Sequence, residues 1–336
     1  MRVLVPGDAD VAHYLGFGRQ LFELPASDTY EFDFGQVSFV SPGWLLSVGS
    51  ALREFRTQRP GAKRKGSNYT HLGYAAHVGF FKFFGMTYGL APAQAGGSDT
   101  YIPIKELNVA ELKSSAAERH MHPGEVVEEE AKRLATLLTR ENEGPLVDTL
   151  TYSLREIVRN VIEHSESESY SIAAQYWPQT GAAELAVVDR GCGILQSLKE
   201  NPKLRVSSDL DALKLAVLPG ISSKAWRRGR SDDAWANSGY GLFMTQRLAS
   251  RGGRFTLVSG DNGVVIEGSG LKEIRSHSPG TLVVLRLRTT ALEDLTEQLS
   301  TFRQEGREIA KRVGGADRFG PSLASQLLQP TNQRGG

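Results

Sequence analysis

Apolar and polar positions recur along this chain first with the period of a strand and then with that of a helix, and the two alternate. Arg2 to Val5 and Tyr30 to Phe34 are alternating runs that predict strands. Each is followed by a helical pattern, at Val11 to Phe22 and from Pro42 to Phe55. A weaker strand around Ala62 to Gly66 and a helix from Thr70 to Phe84, closed by Gly85, complete a small α/β unit. In that helix Phe80 and Phe84 share a face and are expected in the core, whereas Phe81 and Phe83 point elsewhere, toward a second domain or a partner. Gly89 to Thr100, rich in Ala, Gly and Pro, reads as a loop.

From Glu106 to Glu143 the chain turns polar. Pro123-Gly124 interrupts it, and the acidic run Glu128 to Glu130 opens a helical stretch that ends near Arg140. Leu146 to His164 carries the clearest amphipathic pattern: Leu150, Leu154, Ile157 and Val161 form one stripe, with Arg155, Arg159 and Glu163 on the other side. Strands are expected at Tyr170 to Trp177 and Glu184 to Val188, and a helix within Pro202 to Leu218. The segment Pro219 to Ser238, rich in Ser, Gly and Arg, lacks periodicity and reads as a loop. Gly241 to Ala249 is helical and stops at Gly252-Gly253, before strands at Arg254 to Val258, Val264 to Glu267 and Thr281 to Arg288. A polar helix from Ala291 to Val313 carries a narrow stripe of Leu292, Leu295 and Leu299, suited to packing on the preceding domain or to self-association as a homodimer. The expected division is therefore 1–105, a connector 106–143, a second domain 144–290, and a C-terminal helix and tail 291–336.

Composition narrows the function classes. At 336 residues, 40% hydrophobic and 23% charged, the chain has the make-up of a globular protein of roughly two domains. With 39 Lys+Arg against 38 Asp+Glu the net charge is +1, so neither nucleic acid nor an anionic membrane is the default partner. The apolar runs are too short to span a bilayer, the start MRVLVPGDAD lacks a secretory pattern, and the single cysteine, Cys192, has no internal partner; a cytoplasmic setting is expected.

Three segments share a chemical logic. Glu156 and Asn160 stand four apart on the amphipathic helix and project toward one rim, with His164 a turn further. An Asn amide oxygen suits a Mg²⁺ already coordinated mostly by phosphates and water, and a nearby carboxylate can orient or deprotonate a nucleophile. In Val187-Val188-Asp189-Arg190-Gly191-Cys192-Gly193-Ile194 an apolar strand ends in an acid and two glycines. Such a carboxylate can accept from an exocyclic amine like that of adenine, and the glycines let backbone pass beneath a flat ring. Asn237-Ser238-Gly239-Tyr240-Gly241-Leu242 lies where a loop becomes a helix, a place for phosphate at free amides. Each segment alone also fits a solvated helix face or a tight turn; their order is what makes them specific.

In that order the region from Leu146 to Arg288 resembles the GHKL superfamily of ATP-binding domains, shared by gyrase, ninety-kilodalton heat-shock chaperones, histidine kinases and MutL proteins. The form Glu156, Asn160, His164 is most similar to the anti-sigma-factor serine kinases, and Gly280-Thr281 matches the Gly-Thr near adenine in many members. The resemblance implies an α/β sandwich with a mixed sheet and ATP and Mg²⁺ as ligands. Asp189, Gly191, Gly193, Ile194 and Thr281 would lie about the adenine, Asn160 would hold the metal, and Glu156 would activate water or a hydroxyl. His164, Ser238, Gly239, Tyr240, Gly241 and Leu242 would complete the nucleotide site. Pro219 to Ser238 would be the ATP lid, with Lys224, Arg227, Arg228 and Arg230 able to approach phosphates or an acidic partner. No G-x-x-x-x-G-K-[ST] segment competes for the phosphates.

The N-terminal unit resembles STAS domains, the fold of anti-sigma-factor antagonists, through Tyr30 to Phe34, Val37 to Gly43 and the helix after it. Val40 takes the place of the family's Asp and Pro42 that of its phosphoacceptor; only Ser41 offers a hydroxyl, one place early. A scaffold or docking role is the expectation for it. Three functions follow from the two resemblances: a regulatory ATPase switch acting on the STAS-like unit or a protein partner, a serine/threonine kinase acting on a separate STAS partner, and a nucleotide sensor without turnover.

Overall fold

The computed structural model describes residues 1–223, 239–288, 300–302 and 304–309. Two sheets and two helical layers alternate. A three-stranded parallel sheet runs in the order β1 (Arg2–Leu4), β2 (Thr29–Asp33), β3 (Lys63–Ser67). Helices α1 (Val11–Phe22) and α2 (Pro42–Gln58) cross over between its strands, as parallel neighbours require. Asp10 caps α1, and Ser41 caps α2 with Pro42 in its first turn.

The expected helix Thr70 to Phe84 is broken into α3 (Gly73–His77) and α4 (Phe80–Phe83) by Gly79, whose φ of 93° lies in the left-handed region. Because α4 is a single turn enclosed by its own unit, all four phenylalanines are buried, and Phe81 and Phe83 are not presented to a partner. Phe34 meets the rings of Phe80, Phe81 and Phe84, and Gly49 of α2 leaves room for Phe83.

Then comes β4 (Tyr101–Asn108), where no strand is expected, between the loop ending at Thr100 and the connector beginning at 106. Its Pro103 fits an edge strand, the ladder to its neighbour shifts register between Ile102 and Lys105, and Ile102 and Ile104 are buried. This strand spans the 105/106 division and belongs to the second sheet. Helices α5 (Val109–Glu118), α6 (Pro123–Thr139) and α7 (Pro145–His164) follow. Pro123-Gly124 opens α6 instead of interrupting it, with His122 and Glu125 forming a reciprocal cap.

The second sheet has the order β4, β5 (Ser169–Trp177), β6 (Ala182–Asp189), β8 (Gly270–Arg288), β7 (Arg254–Glu267). It is antiparallel at every pairing, not mixed as expected. The chain passes from β6 through α8 (Gly193–Lys199), α9 (Asp209–Ala216) and α10 (Gly241–Ala249) into β7, so β6 and β7 run the same way. They are not neighbours, because β8 returns between them, antiparallel to both. The expected separate strands at 254–258 and 264–267 are one strand, bent by register shifts at Ser259 to Asn262.

Strand β6 is buried along its whole length because both faces of the sheet are covered. Ala183, Leu185 and Val187 face α6, α7 and α10, while Ala186 and Val188 face the core shared with α1 and α2. The N-terminal unit is thus the second cover of this sheet. The distal half of the β7–β8 hairpin lies along α1, where the Ser276 hydroxyl donates to the Leu15 carbonyl at 2.7 Å and Phe22 stacks on His277. Phe302 is buried on the same core as α10, and Gly306 stands against Phe243 and Tyr240, so this part of the C-terminal helix packs on α10. Leu292, Leu295 and Leu299 lie outside the described residues, as do Lys224, Arg227, Arg228, Arg230 and Ser238. Among the described residues no helix is long and apolar enough to cross a membrane.

Candidate functional site

A pocket opens between α7, α8, α10 and the strand ends of β6 and β8. Ile157, Asn160 and Val161 of α7 form one wall, and Val187, Leu257 and Val283 the floor. Asp189 and Thr281 stand at one end, with Gly193, Ile194, Gly239, Gly241 and Leu242 around the rim. The space, counting its open mouth and the solvent there, is about 810 Å³. The first turn of α10 and the end of α7 thus meet at a mostly apolar cleft with few polar groups.

Asp189 is 2% exposed. Its Oδ1 accepts the Gly191 amide at 2.8 Å, and the Thr281 amide also donates to its side chain. Burial nevertheless outweighs these two bonds and lifts the carboxyl to about 6. A carboxylate so placed is costly to keep dry, and a ligand donor that reached it would recover part of that cost.

The glycines are accounted for by close approaches within the chain. A Cβ at Gly191 would overlap the Ser165 carbonyl, to which the Cys192 amide donates at 2.7 Å. Gly193, at φ 73°, and Gly239, at φ 69°, occupy left-handed backbone, the latter against Ile221. At Gly241 a Cβ would run into Cβ and Cγ of Glu156. These glycines shape the rim by letting segments touch.

Glu156 lies beneath that first residue of α10, 2% exposed, and does not line the pocket. Its Oε1 pairs with Arg155 Nη2 at 3.2 Å and Arg159 Nη1 at 3.3 Å. Arg155 reaches Glu128 at 3.4 Å and Arg159 reaches Glu163 at 2.9 Å. The polar side of α7 is therefore a buried ion network, and Glu156, expected at the pocket rim, lies within it: both arginines are 4% exposed because they cover Glu156 under α6 and α10. Tyr240 is buried at 2% and is absent from the lining, as is Gly191, which acts through its amide on Asp189. His164 is the last residue of α7.

Sequence reasoning missed the serines. Ser259 Oγ accepts the Ile194 amide at 2.9 Å and thereby ties α8 to β7, while Ser165, Ser197, Ser222 and Ser223 line the cleft. Asn201 Nδ2 donates to the Ser222 carbonyl at 2.9 Å and fixes the chain before Lys224. Isolated serines at strand ends and in loops carry no spacing signal, although the Ser222-Ser223 pair is a visible polar interruption. Among the described residues there is no cluster of His, Cys, Asp or Glu that could hold a metal on its own.

No protein-family model matches the chain, and no curated protein matches it in sequence.

Proposed function

We propose that the cleft binds ATP with Mg²⁺ and that the chain is a GHKL-type nucleotide switch whose STAS-like N-terminal unit, or a protein docked on it, receives the change. The observation that carries this reading is the Asp189 carboxyl: buried, raised toward neutrality by its surroundings, and lining a mostly apolar cleft. An exocyclic amine of a flat base satisfies it, and Ile157, Val187, Ile194 and Val283 supply the apolar surface such a ring needs. Asn160, on the same cleft, is a single neutral oxygen donor. That donor set fits a Mg²⁺ carried in on phosphates and not a resident metal.

The placement of Glu156 favours sensing over rapid turnover. A base must reach the water or hydroxyl whose proton it takes, and this carboxylate is held by two guanidiniums outside the pocket lining. Hydrolysis, or transfer to a separate serine substrate, would need Glu156 released from Arg155 and Arg159. Calorimetric titration with ATP, ADP and GTP in the presence of Mg²⁺ tests the reading. ATP is expected to bind in preference to GTP, which presents a carbonyl toward Asp189, and Asp189→Ala is expected to abolish binding. Equal affinity for ATP and GTP, or binding untouched by Asp189→Ala, would refute the assignment.

A further inference from the structure

Strand β3 is the outer strand of the three-stranded sheet, paired only with β2. The Lys63 amide donates to the Asp28 carbonyl and the Ser67 carbonyl accepts from the Phe34 amide, so Lys63, Lys65 and Ser67 direct their backbone groups inward. In a parallel strand alternate residues direct theirs the other way. Arg64 and Gly66 therefore turn their N–H and C=O groups to the open edge, where no group among the described residues bonds them.

Beside this edge runs a groove with an apolar floor and a cationic rim. Phe32, Leu52, Phe84 and Met86 form the floor, and Arg56, Lys63 and Lys65 the rim. Those three cations are exposed and make no ion pair among the described residues. Arg64, by contrast, is committed, with Nη1 donating to the Arg59 carbonyl at 2.8 Å. Glu31 is the one acid in register with Lys65 on the same face; Asp33 is taken up by Arg2.

We propose that this edge docks an extended acidic segment of a protein partner by strand addition. Residues directly across a strand pair share a face. A strand laid on β3 would therefore set alternate side chains against Lys63 and Lys65, where acids fit, and the intervening ones over the groove floor, where apolar groups fit. The unpaired amides and carbonyls of Arg64 and Gly66 supply the ladder. Nucleic acid would use the charge but neither the backbone edge nor the alternation. Edge lysines also guard sheets against self-pairing; that role alone gives no reason for the apolar floor beside them. The site lies on the far side of α1 and α2 from the Asp189 cleft, and the inference stands apart from the nucleotide reading.

The test is fluorescence anisotropy on the full chain with a short labelled peptide in which Glu and Val alternate. The comparison ligands are a block isomer of the same composition, the alternating peptide N-methylated at alternate residues, and a single-stranded oligonucleotide of equal charge. Saturable binding is expected for the alternating peptide alone, weakened at least about tenfold by K63E/K65E and by raised salt. Both lysines are exposed, so circular dichroism should show the variant folded as the parent is. Absence of binding up to about 1 mM would overturn the proposal. So would equal binding of the block isomer, the N-methylated peptide or the oligonucleotide, or binding that survives K63E/K65E.

Discussion

Replacing Asp189 by Asn separates the cost of the buried carboxylate from its use. In the unfolded chain the carboxyl ionises near its ordinary value of 3.8; in the fold it does so at about 6, because burial disfavours the charge more than the Gly191 and Thr281 amides favour it. Between those values the folded state holds a proton that the unfolded state has released. The carboxyl's contribution to stability therefore falls as pH rises through this window and is fully lost above it. The difference corresponds to about 3 kcal/mol. Asn does not titrate and keeps an oxygen for the two amides, but its NH₂ needs an acceptor, which gives back about 1 kcal/mol. Urea unfolding should find Asp189→Asn more stable than the parent by about 1–3 kcal/mol near pH 8, with the gain gone near pH 4. Asp8, also lifted to about 6 by burial, titrates in both proteins and cancels in the difference. ATP affinity should meanwhile drop about tenfold or more, since the amide no longer offers a charged acceptor. A variant less stable than the parent near pH 8, or a stability difference that does not change with pH, would refute the reasoning.

Glu156→Ala should cost about 3–5 kcal/mol, because it leaves Arg155 and Arg159 buried without their shared carboxylate; thermal unfolding measures this, and Glu156→Gln is the better control in any turnover assay. Gly18→Ala places a Cβ into the His277 carbonyl of the β7–β8 hairpin, so despite a helix-propensity gain of about 1 kcal/mol it should destabilise by about 1–3 kcal/mol. A neutral result in urea would mean the hairpin does not lie on α1. Ser41→Ala removes the α2 cap and the 2.7 Å bond to Asp8, with an expected loss of about 1–2 kcal/mol by the same assay. Because Ser41 is 1% exposed, incubation of the folded chain with a serine kinase should leave it unmodified, as phosphopeptide mapping would report.

Much of this architecture is visible in the pattern because most elements bury one face. The helix ending at His164 starts within a residue of its expected place, since Pro145 and the Leu150, Leu154, Ile157, Val161 stripe mark it. The cleft is legible too: Asn160, Asp189, Gly193, Gly239, Gly241 and Thr281 come together from four separate segments. What escaped has specific causes. Strand β4 carries a proline and a register shift, which erase the alternation that would announce it. The ion network of Arg155, Glu156 and Arg159 looks like a solvated face because charge on a helix does not reveal whether a partner charge lies buried beside it. The break at Gly79 depends on a positive φ, and glycine permits that without requiring it.

The alternation of β6 explains how the cleft and the N-terminal unit can be coupled without any separate linkage. Asp189 ends the row Ala183, Leu185, Val187 that faces α7, and one residue away the row Glu184, Ala186, Val188 faces α2. Glu184 is wholly buried, accepts the Gly43 amide at 2.9 Å near the start of α2, and is met from the sheet by Arg286 at 3.1 Å. Strand β8 repeats the arrangement, with Thr281 and Val283 on the cleft and Leu282 and Val284 beneath the N-terminal helices. A packed sheet moves as a unit, because its neighbours leave no voids to absorb a shift. A ligand that displaced the Asp189 end of β6 would therefore press on the Gly43 turn of α2 through the same strand. Ion-paired side chains reinforce that route, with Arg190, next to Asp189, bound to Glu54 of α2. If the coupling runs this way, nucleotide should change hydrogen exchange at the amides of Gly43 and Trp44 along with those of Gly191 and Thr281. Protection confined to the cleft would place the response elsewhere.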